Sequence, residues 1–209
     1  MEGTHVQVIA AGAAVLPVAR VAADHVICAD SGVSVALAAG CRIDLVVGDL
    51  DSADAEDLSA ARLGGATVEA HPTTKDESDL ELALLAAMDQ QPTKVTVHLA
   101  DGGRLDHQLA NLLVLASPRW GEVVVHAWVG GNQVFVVRGR FDVPLGVGAP
   151  VALQAVGGAA TVTTTGLAYA LDREVIQTFE ARGIANIVES GDAVVHVHEG
   201  VVLLISSGF

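Results

Sequence analysis

From Val6 to Trp128 the chain alternates short β-rich runs with Ala/Leu-rich helical stretches, and this alternation limits the fold more than any other feature. The candidate strands are Val6–Ala10, Val26–Ala29, Leu45–Val47, Thr67–Ala70, Lys94–Ala100 and Val123–Trp128. Candidate helices lie between them, near Val33–Ala39, Ala55–Leu63, Ser78–Met88 and Leu105–Ala116. Connections long enough to hold a helix let successive strands pair in parallel, with helices covering the sheet. The expected fold class is therefore α/β, a doubly wound, mostly parallel sheet with flanking helices.

Past Val129 the helical periodicity fades. Short β-rich runs follow instead, at Val134–Val137, Pro150–Val156, Ala160–Thr165, Ala193–His198 and Val201–Ile205, with Glu199-Gly200 read as a tight hairpin. This pattern suits a small antiparallel β-rich domain of sandwich or roll type. The expected division is residues 1–135 and 136–209, with the boundary between Gly130 and Gly148.

Composition narrows the function. Net charge is −14 with no Lys/Arg cluster, which argues against nucleic acid and against anionic membrane as partners. No apolar run approaches the roughly 18–20 residues of a membrane span. Met1 to Ala11 lacks the basic n-region of a signal peptide, and two cysteines are too few for a disulfide framework. A reduced, cytoplasmic protein is the expectation.

The acidic residues are unevenly placed. Eleven of the twenty-five carboxylates fall between Asp44 and Glu81, several in two tight clusters. Gly48-Asp49-Leu50-Asp51-Ser52 follows an apolar run, and Lys75-Asp76-Glu77-Ser78-Asp79-Leu80-Glu81 precedes a helical one. Asp30 ends the second candidate strand, and Asp101-Gly102-Gly103-Arg104-Leu105-Asp106-His107 follows the fifth. In an open parallel sheet all of these arrive at the carboxyl edge, where ligands bind. Crowded hard-oxygen donors suit Mg²⁺, which commonly joins a few carboxylates to substrate phosphates. Lys75 offers a point charge to a phosphate and Arg104 a fork, with Asp106 either in the metal's outer shell or orienting Arg104. A helix N-terminus near Ser78 adds free N–H groups. Each motif also has a plainer explanation: Asp51 or Ser52 can cap the helix at Ala55, and Ser78 or Asp76 the next one. The scattered histidines read as structural, and no Walker A or Gly-x-Gly-x-x-Gly loop is present.

Taken in order, these segments resemble the thiamine pyrophosphokinase family. The resemblance rests on Ala29-Asp30-Ser31-Gly32, Asp44 to Ser52, Lys75 to Ala83 and Gly103-Arg104-Leu105-Asp106-His107, and extends through Thr163 to Tyr169 and Gly183-Ile184-Ala185-Asn186. It implies diphosphate transfer from ATP to the hydroxyl of thiamine, in a homodimer with sites at the subunit interface. On the same footing, Asp49, Asp51 and Asp79 are the Mg²⁺ carboxylates, with Asp30 and Asp106 nearby. Lys75, Ser78 and Arg104 fall near the ATP phosphates, and Asn186 and Tyr169 near thiamine. The chain departs from the family pattern at Ser31 (commonly Gly), Ser78 (commonly Thr) and Ala185 (commonly Ser). Ala185 keeps open a related pyrophosphokinase acting on another alcohol, such as a hydroxymethylpterin. A nucleotide-binding module without catalysis is the remaining alternative.

Overall fold

The computed structural model describes residues 3–10, 22–101 and 104–207. The expected glycine turn at Gly102-Gly103, and Met1, Glu2 and Ala11 of the N-terminal stretch, lie outside them. The chain divides into two compact units, one of residues 1–114 and 123–130, the other of 115–122 and 131–209.

The first unit contains β1 (His5–Ala10), β2 (His25–Ala29), α1 (Gly32–Ala38), β3 (Leu45–Gly48), α2 (Ala55–Leu63) and β4 (Thr67–Ala70). It continues through α3 (Asp79–Asp89), β5 (Lys94–Leu99), α4 (Leu105–Leu115, whose last residue belongs to the second unit) and β6 (Val124–Val129). Each end lies within one residue of its expected position. The strand order is β6-β5-β1-β2-β3-β4, every pair parallel. Strands β1 to β4 thus wind outward in one direction, and the chain returns to add β5 and β6 on the other side of β1. Ile9, Cys28 and Val46 on the sheet pack with Val33 and Ala36 of α1 and Ala61 of α2. Helix α3 packs against β1, β2 and β3, burying Leu80, Ala83, Leu84 and Ala87. Small aliphatic side chains let these layers close without aromatic filler.

Two features of this unit bear on the site. Helix α3 starts with a reciprocal capping box: Ser78 Oγ accepts from Glu81 N–H at 3.2 Å, and Glu81 Oε2 accepts from Ser78 N–H at 3.1 Å. Ser78→Ala is expected to cost about 1 kcal/mol of stability, read as a lower urea midpoint with unchanged slope. Helix α2 is capped by Asp54, which accepts from Glu56 N–H, and not by Asp51 or Ser52. Those two residues are therefore left for other contacts.

The second unit contains β7 (Asn132–Val137), β8 (Arg140–Asp142), β9 (Pro150–Thr165), β10 (Glu174–Ile176), β11 (Asn186–Ile187) and β12 (Val194–Ser206). Its order is β10-β9-β12-β7, antiparallel, with β8 on β12 and β11 on β9. Here the sequence expectation needs correction. Pro150–Val156 and Ala160–Thr165 form one 16-residue strand, and Ala193–His198 and Val201–Ile205 merge into the 13-residue β12. Glu199-Gly200 is no hairpin. The register shifts between Val197 and Glu199 and again between Glu199 and Val201, so the pair bulges and continues. Gly200, at φ 85°, lies so close to β9 that a Cβ would sit 2.9 Å from Ala160 Cα, which explains the glycine without any turn. Val151, Leu153, Val162, Val195, Val202 and Leu204 form the centre of this unit's core.

Candidate active site

Three carboxylates from three segments of the first unit converge. Ligand atoms of Asp30, Asp49 and Asp79 all lie within 4.8 Å of one another. Asp30 follows β2, Asp49 follows β3, and Asp79 opens α3. All three reach the carboxyl edge of the sheet, where an open α/β sheet binds its ligands.

The backbone is bent to bring them there. Asp30 (φ 46°) and Leu50 (φ 60°) both occupy the left-handed region, which costs a non-glycine residue on the order of 1–3 kcal/mol. Gly48, at φ 150°, sits between the acids: a Cβ there would lie 3.1 Å from Asp79 Oδ1 and 3.2 Å from Asp30 Cβ. Gly48→Ala is therefore expected to push the carboxylates apart and raise the Mg²⁺ concentration for half-maximal turnover by about 10–100-fold. A metal titration of turnover with an unchanged midpoint removes Gly48 from this role.

Hydrogen bonds and charge tie the group together. Asp49 N–H donates to Asp79 Oδ1 at 3.3 Å, and Asp51 N–H donates to Asp49 Oδ1 at 3.3 Å. Lys75 Nζ lies 3.3 Å from Asp49 Oδ2 and 3.1 Å from Asp79 Oδ1, with its side chain largely buried. The Asp51 N–H, followed by Lys75, holds the Asp49 carboxyl below the usual carboxylate range. Asp51 goes the other way: the charge of Asp49, then loss of water and the charges of Asp30 and Asp79, push its carboxyl up. Burial draws the Lys75 ammonium down, but Asp79 and Asp49 together leave it above the usual lysine value. Four carboxylates thus face one ammonium, an imbalance that a divalent cation relieves.

The residues fit such an ion. The donors are all carboxylate oxygens, the set that hard Mg²⁺ prefers. Asp30 is buried, and its Oδ1 has no hydrogen-bond partner, while Ser52 Oγ donates to Oδ2. A buried carboxylate oxygen left open toward two other carboxylates is costly unless something cationic faces it. The grouping differs from the sequence reading in one respect. Asp30 joins Asp49 and Asp79, while Asp51 stands beside them as a charge neighbour.

The other expected site residues make contacts of their own. Arg104 and Asp106, both exposed, pair with each other through Nε at 3.1 Å and Nη2 at 2.5 Å. The hydrogen bond from Arg104 holds the Asp106 carboxyl down at about 2. Asp106 is thus the partner of Arg104. Ser78 is engaged in its capping box. In the second unit, Asn186 is buried and spends its amide on the backbone of the exposed Tyr169. Ser52 is the contact that sequence reading missed: its place beside Asp51 marked it only as a cap. The histidine reading fits His98, which is fully buried with Gln7 Nε2 2.9 Å from its Nε2; burial lowers its pKa to about 4. No helix among the described residues is long and apolar enough to cross a membrane.

Comparison with known proteins agrees with this geometry. Residues 19–125 match the family described as thiamin pyrophosphokinase, catalytic domain, a stretch that includes Asp30, Asp49, Lys75, Asp79 and Arg104. A thiamine pyrophosphokinase of Bacillus subtilis (strain 168) is 32% identical over 86 residues. That alignment spans 41% of this chain and 40% of the relative. The fold extends much further. A Bacillus subtilis thiamine pyrophosphokinase structure superposes with a TM-score of 0.85 at 21% identity, covering 99% of this chain and all of that one. One from Geobacillus thermodenitrificans gives 0.81 at 25% identity, covering 99% and 98%. One from Candida albicans gives 0.76 at 13% identity, covering 97% and 90%. With a family match over more than half its length, the chain belongs to the thiamin pyrophosphokinase family.

Proposed function

We infer that the protein is a thiamine pyrophosphokinase, moving the diphosphate group of ATP to the hydroxyl of thiamine and releasing AMP. The observation that carries this reading is the convergence of Asp30, Asp49 and Asp79 within 4.8 Å, with Lys75 between two of them. In the reaction the thiamine oxygen bonds to the β-phosphorus of ATP. The bond from that phosphorus to the oxygen bridging it to the α-phosphate breaks, AMP leaves with the bridging oxygen, and the hydroxyl proton passes to solvent. Such transfers ask mainly for alignment and charge neutralisation. Asp49, Asp79 and Asp30 would hold Mg²⁺, with Asp51 adjusting the local charge, and the ion would supply neutralisation of phosphate charge. Lys75 turns its ammonium from the carboxylates toward the incoming phosphates. Arg104, exposed and paired with its neighbour Asp106, exchanges that surface pairing for a phosphate. Ser78 stands where the N-terminus of α3 offers free N–H groups.

The remaining parts of the reading rest on family likeness. The 136–209 region binds thiamine through Asn186 and Tyr169 and dimerises, the sites lie at the subunit interface, and the protein works in the cytoplasm. The acidic surface suits a permanently cationic substrate. The test follows thiamine diphosphate and AMP together, with Mg²⁺ and with a chelator. Equal amounts of both products, formed only with the metal, support the reading. AMP formed with a pterin alcohol and not with thiamine replaces it with the alternative substrate class.

A further inference from the structure

Lys75 faces Asp49 and Asp79, whereas the neighbour of Asp30 is a hydroxyl. The main chain of Asp30 is pinned on both sides. Its N–H donates to Val47 O of β3 at 2.9 Å, and its carbonyl accepts from Val33 N–H of α1 at 3.2 Å. Gly48 crowds it as well, since a Cβ there would lie 3.3 Å from Asp30 N. At φ 46° the residue sits in the left-handed region, a narrow well for a non-glycine side chain. The carboxylate plane is another matter. The terminal torsion of an aspartate is broad, so a fixed backbone does not aim the two oxygens. A side chain from a different loop does. Ser52 Oγ donates to Asp30 Oδ2, while the buried Oδ1 has no hydrogen-bond partner. The helix does not need this hydroxyl, because Asp54 caps α2. Ser52 also shares the loop between β3 and α2 with Asp49, so its hydrogen bond ties the segment of one converging carboxylate to that of another. One oxygen occupied and its twin left open presents a carboxylate to a cation through a single atom.

We propose that Ser52 is a positioning residue for the cation site: its hydroxyl occupies Asp30 Oδ2, fixes the carboxylate plane and leaves Oδ1 to the divalent ion shared with Asp49 and Asp79. This rests on the cation site of the function inferred above, and adds a residue that itself touches neither ion nor substrate. A neutral donor suits the task. A second ammonium or guanidinium here would hold the same oxygen but would repel the incoming ion, as a hydroxyl does not.

The test reads Mn²⁺ uptake by the full-length protein without nucleotide, from the loss of the free-ion paramagnetic resonance signal, beside turnover. Ser52→Ala is expected to weaken Mn²⁺ binding roughly tenfold, the effect of losing a group that orients a metal ligand. The Mg²⁺ concentration for half-maximal turnover should rise to match, with the thiamine KM within about twofold of the parent. Ser52→Thr keeps the hydroxyl and should restore parent-like Mn²⁺ binding. Ser52→Cys keeps the shape with a weaker donor, so it should fall between parent and alanine, and it serves if Ser52→Ala fails to fold. In an Asp30→Asn background, Ser52→Ala should add nothing further. Parent-like Mn²⁺ affinity in Ser52→Ala overturns the proposal, and so does a loss in Ser52→Thr as large as in Ser52→Ala. A further loss in the Asp30→Asn background also overturns it, since Ser52 then acts by a route other than Asp30. A parent that takes up no Mn²⁺ while AMP release proceeds overturns it too, and leaves the enzymatic reading intact. Absence of AMP release in a parent that binds Mn²⁺ removes the enzymatic reading, and the Mn²⁺ affinities of the variants still decide the role of Ser52. Absence of both removes the two together.

Discussion

Asp49→Asn is expected to lower Mg²⁺-dependent AMP release by about 10²–10³-fold while leaving the protein folded. Asparagine keeps the size of the side chain and an oxygen for the Asp51 N–H, which now donates to Asp49 Oδ1. It removes the anionic oxygen that faces Lys75 at 3.3 Å and one third of the converging carboxylate set. Geometry is thus conserved and charge is not. The variant also carries a pH signature. Asp49 is the largest cause of the raised Asp51 pKa, so in the parent Asp51 takes up its proton above the ordinary carboxylate range as pH falls. In the variant that protonation moves toward lower pH, and the acid limb of the remaining activity should move with it. The stability terms have opposite signs. The lowered Asp49 favours the fold above the ordinary carboxylate range and loses that contribution as pH falls through its folded value. The raised Asp51 opposes the fold when ionised, so its penalty fades on acidification. Turnover within threefold of the parent, at saturating Mg²⁺, excludes Asp49 from the site.

Lys75→Met should be nearly as damaging to turnover, at least about 100-fold, and should differ in its response to metal. The aliphatic stem remains while the one ammonium among four carboxylates goes. Without metal, the melting temperature is expected to fall by about 2–4 °C, the equivalent of about 1 kcal/mol in a chain of this size. Added Mg²⁺ should then recover more degrees in the variant than in the parent, because the cation meets greater repulsion to relieve. The folded-state pKa of Lys75 is raised, so its contribution is complete below the ordinary lysine value and lost only as pH rises through the folded one. The stability gap between parent and variant should therefore stay constant from pH 6 to 9. A gap that closes within that window, or an equal metal response, shows that Lys75 does not balance these acids.

The first unit was legible because each of its signals is local. Strand runs such as Val26–Ala29 and Ala/Leu-containing helical stretches such as Ala55–Leu63 are each contained within a few consecutive residues, so the elements appear within a residue of expectation. The acidic motifs could be assigned to one sheet edge because a parallel sheet sends all its strand ends the same way. What stayed hidden depends on contacts between distant positions. The Ser52–Asp30 contact crosses 22 residues, and the Asn186 clamp on Tyr169 crosses 17; neither leaves a periodic trace. Glycine misled for a related reason. A glycine in a β-rich stretch can reverse the chain or permit a close approach, and Gly200 does the second, so two expected hairpin arms became one strand.

Carboxylates from three separate segments are proposed to seat one divalent cation at the sheet edge. Crystals grown with Mn²⁺ and a non-hydrolysable ATP analogue test it directly, since manganese scatters anomalously and replaces Mg²⁺ at oxygen sites. The expected result is an anomalous peak coordinated by oxygens of Asp49 and Asp79, with Asp30 at or adjoining the ion and the analogue's phosphates on its open side. A peak held by other residues, or a bound analogue with Asp30, Asp49 and Asp79 facing only water and Lys75, would contradict it.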